Sequence, residues 1–132
     1  MKKSLNLEAE EEKMINLINA ERRFYGLQPL EVNMRLVKTA RIKSRDMLYK
    51  NYFSHFSPGY GAPYRLMEIM RVPYKIIGEN LASISSVEEA HLGLMNSPGH
   101  RVNILNPNFT QLGVGVANGG PNGKLFTQHF IG

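Results

Sequence analysis

A chain of 132 residues, 42% hydrophobic and 20% charged, is long enough for one domain with its own core and is not the composition of a disordered chain. It contains no cysteine, which excludes disulfides, thiolate metal sites and cysteine nucleophiles. The net charge of +5 is scattered rather than clustered, tryptophan is absent and no stretch matches a nucleic-acid module, so the charge reads as serving solubility.

No run of about 18 apolar residues exists, so no membrane-spanning segment is expected. The opening MKKSLNLEAEEE has basic residues but no apolar segment behind them, so it does not read as an intact signal peptide. Residues 1–7 read as a flexible lead-in to a single domain over 1–132.

Glu8 to Tyr25 has helical spacing, with Met14, Leu17, Ile18, Phe24 and Tyr25 near one face and Gly26 as a stop. The acids at Glu8 and Glu10 to Glu12 suit the positive end of that helix. GLQPLEV (26–32) reads as a connection. Asn33 can then cap a second helix through about Tyr49, with Leu36, Val37, Ala40, Met47 and Leu48 inward. NYFSHFSPGYGAP is a loop carrying His55, and Pro63 can open a short helix ending near Arg71.

YKIIGENLASI reads as a short strand with a break at Gly78. Ser85 and Glu88 form a capping-box pattern for a helix from Ser86 to about Met95. His91 on that helix is expected to face solvent or pair locally. QLGVGVANGGPNGKLFTQHFIG closes the chain as two strands joined by a Gly/Asn/Pro turn. Helices with a few strands late in the chain give an α+β fold.

Ser97-Pro98-Gly99-His100 reads as the start of one more short helix, with Ser97 at the cap, Pro98 at the first position and Asn106-Pro107 at the end. His100 then lies at the third position, where the helix dipole favours the neutral imidazole that binds a metal or accepts a proton. Ser57 and Ser97 sit near His55 and His100 in sequence, but neither occupies a G-x-S-x-G context and no oxyanion hole is evident.

Six motifs, LINAERRFYGLQPL, ARIKSRDML, YFSHFSP, GENLA, MNSPGHRVNILNPNFTQLGVGVA and FTQHF, occur in the order found in the CAP superfamily of cysteine-rich secretory, antigen-five and pathogenesis-related proteins. The chain resembles that family's bacterial SCP-like extracellular branch. The resemblance implies a three-layer α-β-α sandwich with a small antiparallel sheet and an open central cleft. His55, Glu79, His100, Asn80, Ser97 and Gln128 are the residues expected at that cleft, with His129 on the opposite strand face from Gln128. His55, His100 and Glu79 are the expected holders of zinc or another divalent cation that the fold does not require, with Glu79 either a ligand or the group orienting an imidazole.

Where eukaryotic relatives carry a second acid, this chain has Asn96-Ser97; Leu94 stands where bacterial relatives often have tryptophan, and Lys43 where histidine is common. The implied function is a secreted, non-enzymatic binding domain, the alternative being a metal-dependent hydrolase or peptidase using the same cleft. The implied partners are a small molecule, a lipid or a cell-envelope component, at an extracellular or envelope-associated location, with no nucleic acid and no membrane span.

Overall fold

A computed structural model describes residues 6–132 as five helices and a four-stranded sheet: α1 (Ala9–Phe24), β1 (Glu31–Val32), α2 (Met34–Lys50), α3 (Pro63–Ile69), β2 (Ile77–Ile84), α4 (Val87–Met95), α5 (Pro98–Ile104), β3 (Gln111–Asn118) and β4 (Lys124–Ile131). Most of the expected lead-in, residues 1–5, lies outside the described residues, while Leu7 already packs against the core.

The sheet runs β1-β3-β4-β2. Strands β3, β4 and β2 are antiparallel, but β1 lies parallel to β3 through Glu31–Gln111 and Val32–Leu112, so the sheet is mixed rather than wholly antiparallel. The segment expected to be a plain connection therefore contains an edge strand, too short for any periodicity to announce it.

Alternation along β3 and β4 divides the molecule into layers. Leu112, Val114, Val116, Phe126 and Phe130 face α1, α4 and α5 in the larger core, where Met14, Ile18, Leu94 and Ile104 join them. On the other face α2 crosses the sheet at backbone contact distance. A Cβ on Gly113 would stand 2.2 Å from the Leu36 carbonyl carbon, and one on Gly115 would stand 2.3 Å from the Arg41 nitrogen. Leu36, Met67, Val72 and Ile131 fill one end of this second layer, and Met47, Leu81, Ala117 and Leu125 the other. The result is the α-β-α sandwich implied by the motifs.

Local signals set several boundaries. The Asn33 side chain accepts from the Arg35 and Leu36 amides and starts α2; Pro63 is at the first turn of α3. Other expectations are corrected. Phe24 and Tyr25 are exposed, because the last turn of α1 overhangs the core and the inward position there is Arg22. Its guanidinium donates to the carbonyls of Gln28, Ile104 and Asn106 at 2.7–3.0 Å, tying α1 to the end of α5.

Gly78 does not break its strand. It pairs with Phe130 in an unbroken ladder, and its missing side chain is the space taken by the Phe109 ring, 2.8 Å from where a Cβ would be. The cap of α4 is Ser86, accepting from the Glu89 amide, rather than Ser85. His91 is buried and faces Glu21 of α1, its Nε2 3.1 Å from the carboxylate, rather than facing solvent.

Candidate functional site

Strand β2 carries the site because its successive residues turn to opposite faces of the sheet. Glu79 points to the α2 face and Asn80 to the α5 face.

Glu79 is 7% exposed and both of its carboxylate oxygens are engaged. Oε1 lies 2.8 Å from His55 Nδ1, and Oε2 lies 2.7 Å from Nε2 of the wholly buried His129, which the register places directly across from Glu79. His129 Nδ1 in turn lies 2.7 Å from the Thr39 hydroxyl, which donates its single proton to the Leu36 carbonyl at 2.9 Å. Both ring nitrogens of His129 are thus engaged, Nδ1 by the Thr39 hydroxyl and Nε2 by the Glu79 carboxylate. Burial alone would push the Glu79 carboxyl up; the hydrogen bond and charge of His129, the bond from His55 and the charge of Lys43 reverse that and hold it below the usual range.

With Glu79 ionised, its Oε1 accepts from His55 Nδ1–H. In the neutral ring that bond places the lone pair on His55 Nε2, and the imidazole is 57% exposed.

The loop that carries His55 is held from beneath. The buried Lys43 ammonium donates to the His55 carbonyl at 3.0 Å and to the Tyr52 hydroxyl at 3.2 Å. Asp46 Oδ2 accepts from Tyr52 and Ser57, each at 2.5 Å, and its other oxygen meets Lys50 at 3.3 Å. Ser57 is thus a buried loop brace. Burial would raise the Asp46 carboxyl, but these donors outweigh it and the net shift is downward. Asp46 therefore stabilises the fold above the ordinary carboxylate range, and that contribution is lost as pH falls through its lowered value. Acid-unfolding curves followed by circular dichroism are expected to show Asp46→Asn less stable than the parent at pH 7, with the gap closing below pH ~4.

Across β2, Asn80 builds the other half. Its Nδ2 donates to the His100 carbonyl and to Gln128 Oε1, both at 3.0 Å, and its Oδ1 accepts from Asn103 at 2.8 Å. Asn80 and Gln128 are fully buried, so they fasten α5 to the sheet rather than line an open surface, and Gln128 Nε2 has no partner among the described residues. Ser97 occupies the cap position of α5, but its hydroxyl lies 2.8 Å from His100 Nδ1 and makes no capping bond. His55 and His100 thus each have Nδ1 tied to a neighbour and Nε2 without a protein partner among the described residues.

The two histidines are anchored to adjacent residues of β2, from opposite faces. His55 and Glu79 line one hollow with Tyr64, while His100 and Ser97 line a second with Phe53 and residues 81–84. A concavity of about 600 Å³ lies along α5 and holds none of the expected site residues, though Asn96, Pro98 and Arg101 beside them line it.

Among the described residues no three His, Asp or Glu side chains converge as a metal set. With both Glu79 oxygens already bound to imidazoles, a three-ligand site of His55, His100 and Glu79 does not fit; Glu79 is placed to orient His55. Sequence reasoning gave Thr39 no role, set His129 apart from the cleft, and noted Lys43 only as a departure from the family's usual histidine. The alternation that set His129 apart from Gln128 was the available signal, since only the former can share a face with Glu79 in this register.

The sandwich and the paired histidines define a protein class. The profile of the CAP, cysteine-rich secretory protein, family matches residues 15–130, and the chain belongs to that family. It is 48% identical over 128 residues to YkwD of Bacillus subtilis (strain 168), covering 96% of this chain and 49% of that protein. An extracellular SCP-domain protein from Bacillus anthracis str. Ames has the same fold at TM-score 0.85 and 37% identity, over 92% of this chain and 40% of that one. An outer surface protein of Borrelia burgdorferi superposes at TM-score 0.87 with 19% identity, over 99% and 98% of the two chains. The chain thus spans about half or less of the two Bacillus proteins. No helix among the described residues is long and apolar enough to cross a membrane.

Proposed function

We propose that this CAP domain is a non-enzymatic binding domain of the cell exterior or envelope, whose ligand lies along β2 between His55 and His100. The observation that carries the reading is the shared state of the two imidazoles: each has Nδ1 fixed by a protein oxygen and each leaves Nε2 to the cleft. Imidazoles held in this way are suited to accept a proton, to bond a polar ligand, or to supply two nitrogens to a divalent ion such as zinc. In that last case His55 and His100 would hold the ion and solvent or ligand would complete its shell, with Glu79 and Ser97 orienting the rings. A bound ion would supply a positive charge to a polar ligand group.

Zinc titration calorimetry tests the metal part. Binding at pH 7.5 is expected to weaken at pH 5.5, because imidazole ligands must be deprotonated, and to be lost in His55→Ala and in His100→Ala. Binding unchanged in both variants would confine the histidines to organic ligands.

A second reading is a hydrolase or peptidase. One observation favours it: the Glu79 carboxylate on His55 Nδ1 leaves a basic Nε2, the arrangement of a general base. Metal-dependent turnover abolished by Glu79→Gln would establish it. The Asn96-Ser97 pair in place of a second acid, and Ser97 turned to His100, argue for the binding reading.

A further inference from the structure

Strand β2 ends the sheet, and among the described residues no further strand pairs with its outer side. Ile76 and Gly132 exchange two backbone bonds, Ile76 N–H to the Gly132 carbonyl at 3.3 Å and Gly132 N–H to the Ile76 carbonyl at 3.1 Å. Bonding alternates along an antiparallel ladder. In this register Gly78, Asn80, Ala82 and Ile84 therefore bond to β4, while Ile77, Glu79, Leu81 and Ser83 turn their N–H and C=O groups outward. Among the described residues, only the Glu79 and Ser83 carbonyls of that row meet a partner, the side-chain amides of Asn103 at 3.4 Å and Asn122 at 3.2 Å. The four outward N–H groups meet none among those residues.

Exposed edges are usually blunted by lysine, proline or a bulge. IGENLASI has none of these. Instead the two hollows described above, about 270 Å³ each, follow one another along this edge. His55, Pro63 and Tyr64 wall the first, and Phe53, α4 and the start of α5 wall the second. Walls of this kind beside an edge suit a single extended segment better than the sheet of a second copy.

Charge sets the direction. Glu89 lines the hollow at the Ile84 end, exposed, and its carboxylate meets only the hydroxyls of Ser85 and Ser86. It has no cationic partner among the ion pairs of the described residues.

We propose that the outer edge of β2 binds an extended polypeptide segment of another molecule. The segment adds antiparallel as a fifth strand, with a cationic group, Lys, Arg or a chain amino terminus, at its leading end over Glu89. This rests on the reading of the cleft as a binding site and names its ligand class. Backbone bonds to Ile77, Glu79, Leu81 and Ser83 supply affinity, and the hollows receive the side chains that face them. At roughly 3.3 Å per residue, the edge accommodates about seven residues.

The probe is a phage-displayed library of random heptapeptides with free amino termini, selected on the parent domain and counter-selected on Ser83→Pro. Proline at 83 removes an outward N–H while leaving the ladder to β4 intact. Enriched peptides, synthesised and titrated, are expected to carry a basic leading residue, to bind Ser83→Pro at least tenfold more weakly and Glu89→Gln several-fold more weakly. They should slow amide exchange at Ile77, Glu79, Leu81 and Ser83, beyond the protection already present at the alternate residues. If circular dichroism shows Ser83→Pro unfolded, Glu89→Gln and the exchange pattern carry the test.

No enrichment on the parent, or protection that misses the outward amides, overturns strand addition. Peptides that bind independently of Ser83 and Glu89 but are lost in His55→Ala also overturn it, and leave the binding cleft standing. Failure of both peptide binding and zinc binding removes the cleft reading as well.

Discussion

Gly115→Ala is expected to cost about 3 kcal/mol and to lower the melting temperature by roughly 10 °C, the cost of overpacking a closed interface in a domain of this size. The added methyl would stand 2.3 Å from the Arg41 nitrogen and 2.4 Å from the Ala40 carbonyl carbon, and its neighbours are main chain. A side chain can change rotamer to make room; a helix backbone cannot. Helix α2 must lift from the sheet as a unit, and it carries Thr39, Lys43 and Asp46, the residues beneath His129 and the His55 loop. Urea unfolding should therefore report lost stability together with a disturbed His55 resonance. Gly93→Ala is the internal control. Nothing lies within 4 Å of its added Cβ on α4, and there alanine should raise stability by up to about 1 kcal/mol through helix propensity.

His129→Ala is expected to destabilise by about 3 kcal/mol, because it leaves a buried carboxylate oxygen without its hydrogen-bond donor. Glu79 would keep only the exposed His55 and the nearby Lys43 charge against the full cost of its burial, while the Thr39 hydroxyl would lose a hydrogen-bond partner. Thr39→Val should cost only about 1 kcal/mol, the usual size of one neutral hydrogen bond, because the Glu79–His129 bond survives it. Chemical denaturation at pH 7 ranks the two. Equal losses would show that Glu79 draws little from His129.

The parts of the fold written in the sequence are those decided by neighbours in the chain. Asn33 ahead of a 3.6-residue apolar pattern gives α2, Pro63 gives α3, and two apolar runs about an Asn/Gly/Pro turn give β3 and β4. The residues misread are those decided by distant partners. Gly78 reads as an interruption because the Phe109 ring that fills its place comes far later in the chain. Phe24 and Tyr25 read as inward because helical spacing does not tell where a core ends, and the buried Arg22 satisfies carbonyls more than 80 residues away.

The site divides the same way. His55, Glu79 and His100 are legible through their motifs, and the two histidines lie on either side of β2, which carries Glu79. The motifs place Gln128 at the cleft and leave His129 a structural role; in the fold Gln128 sits in a buried amide cluster with Asn80, and His129 is bonded to Glu79 from beneath. Strand parity separates the two residues; only the pairing of β4 with β2 says which of them the acid meets.

The place of β4 in the sheet has a consequence for how the molecule comes into being. It is the last of the four sheet strands in sequence and yet lies between β3 and β2, bonded to both. While the chain is being synthesised, β2 has no neighbour to pair with and Glu79 no histidine from the far strand until residues 124–131 have left the ribosome. Helices α1 and α2 can begin to wind early, but the sheet they cover closes only at the final step. Up to that point the apolar stretch 77–84 and the half-built hairpin partner β3 are unprotected, the condition under which nascent chains aggregate or engage chaperones.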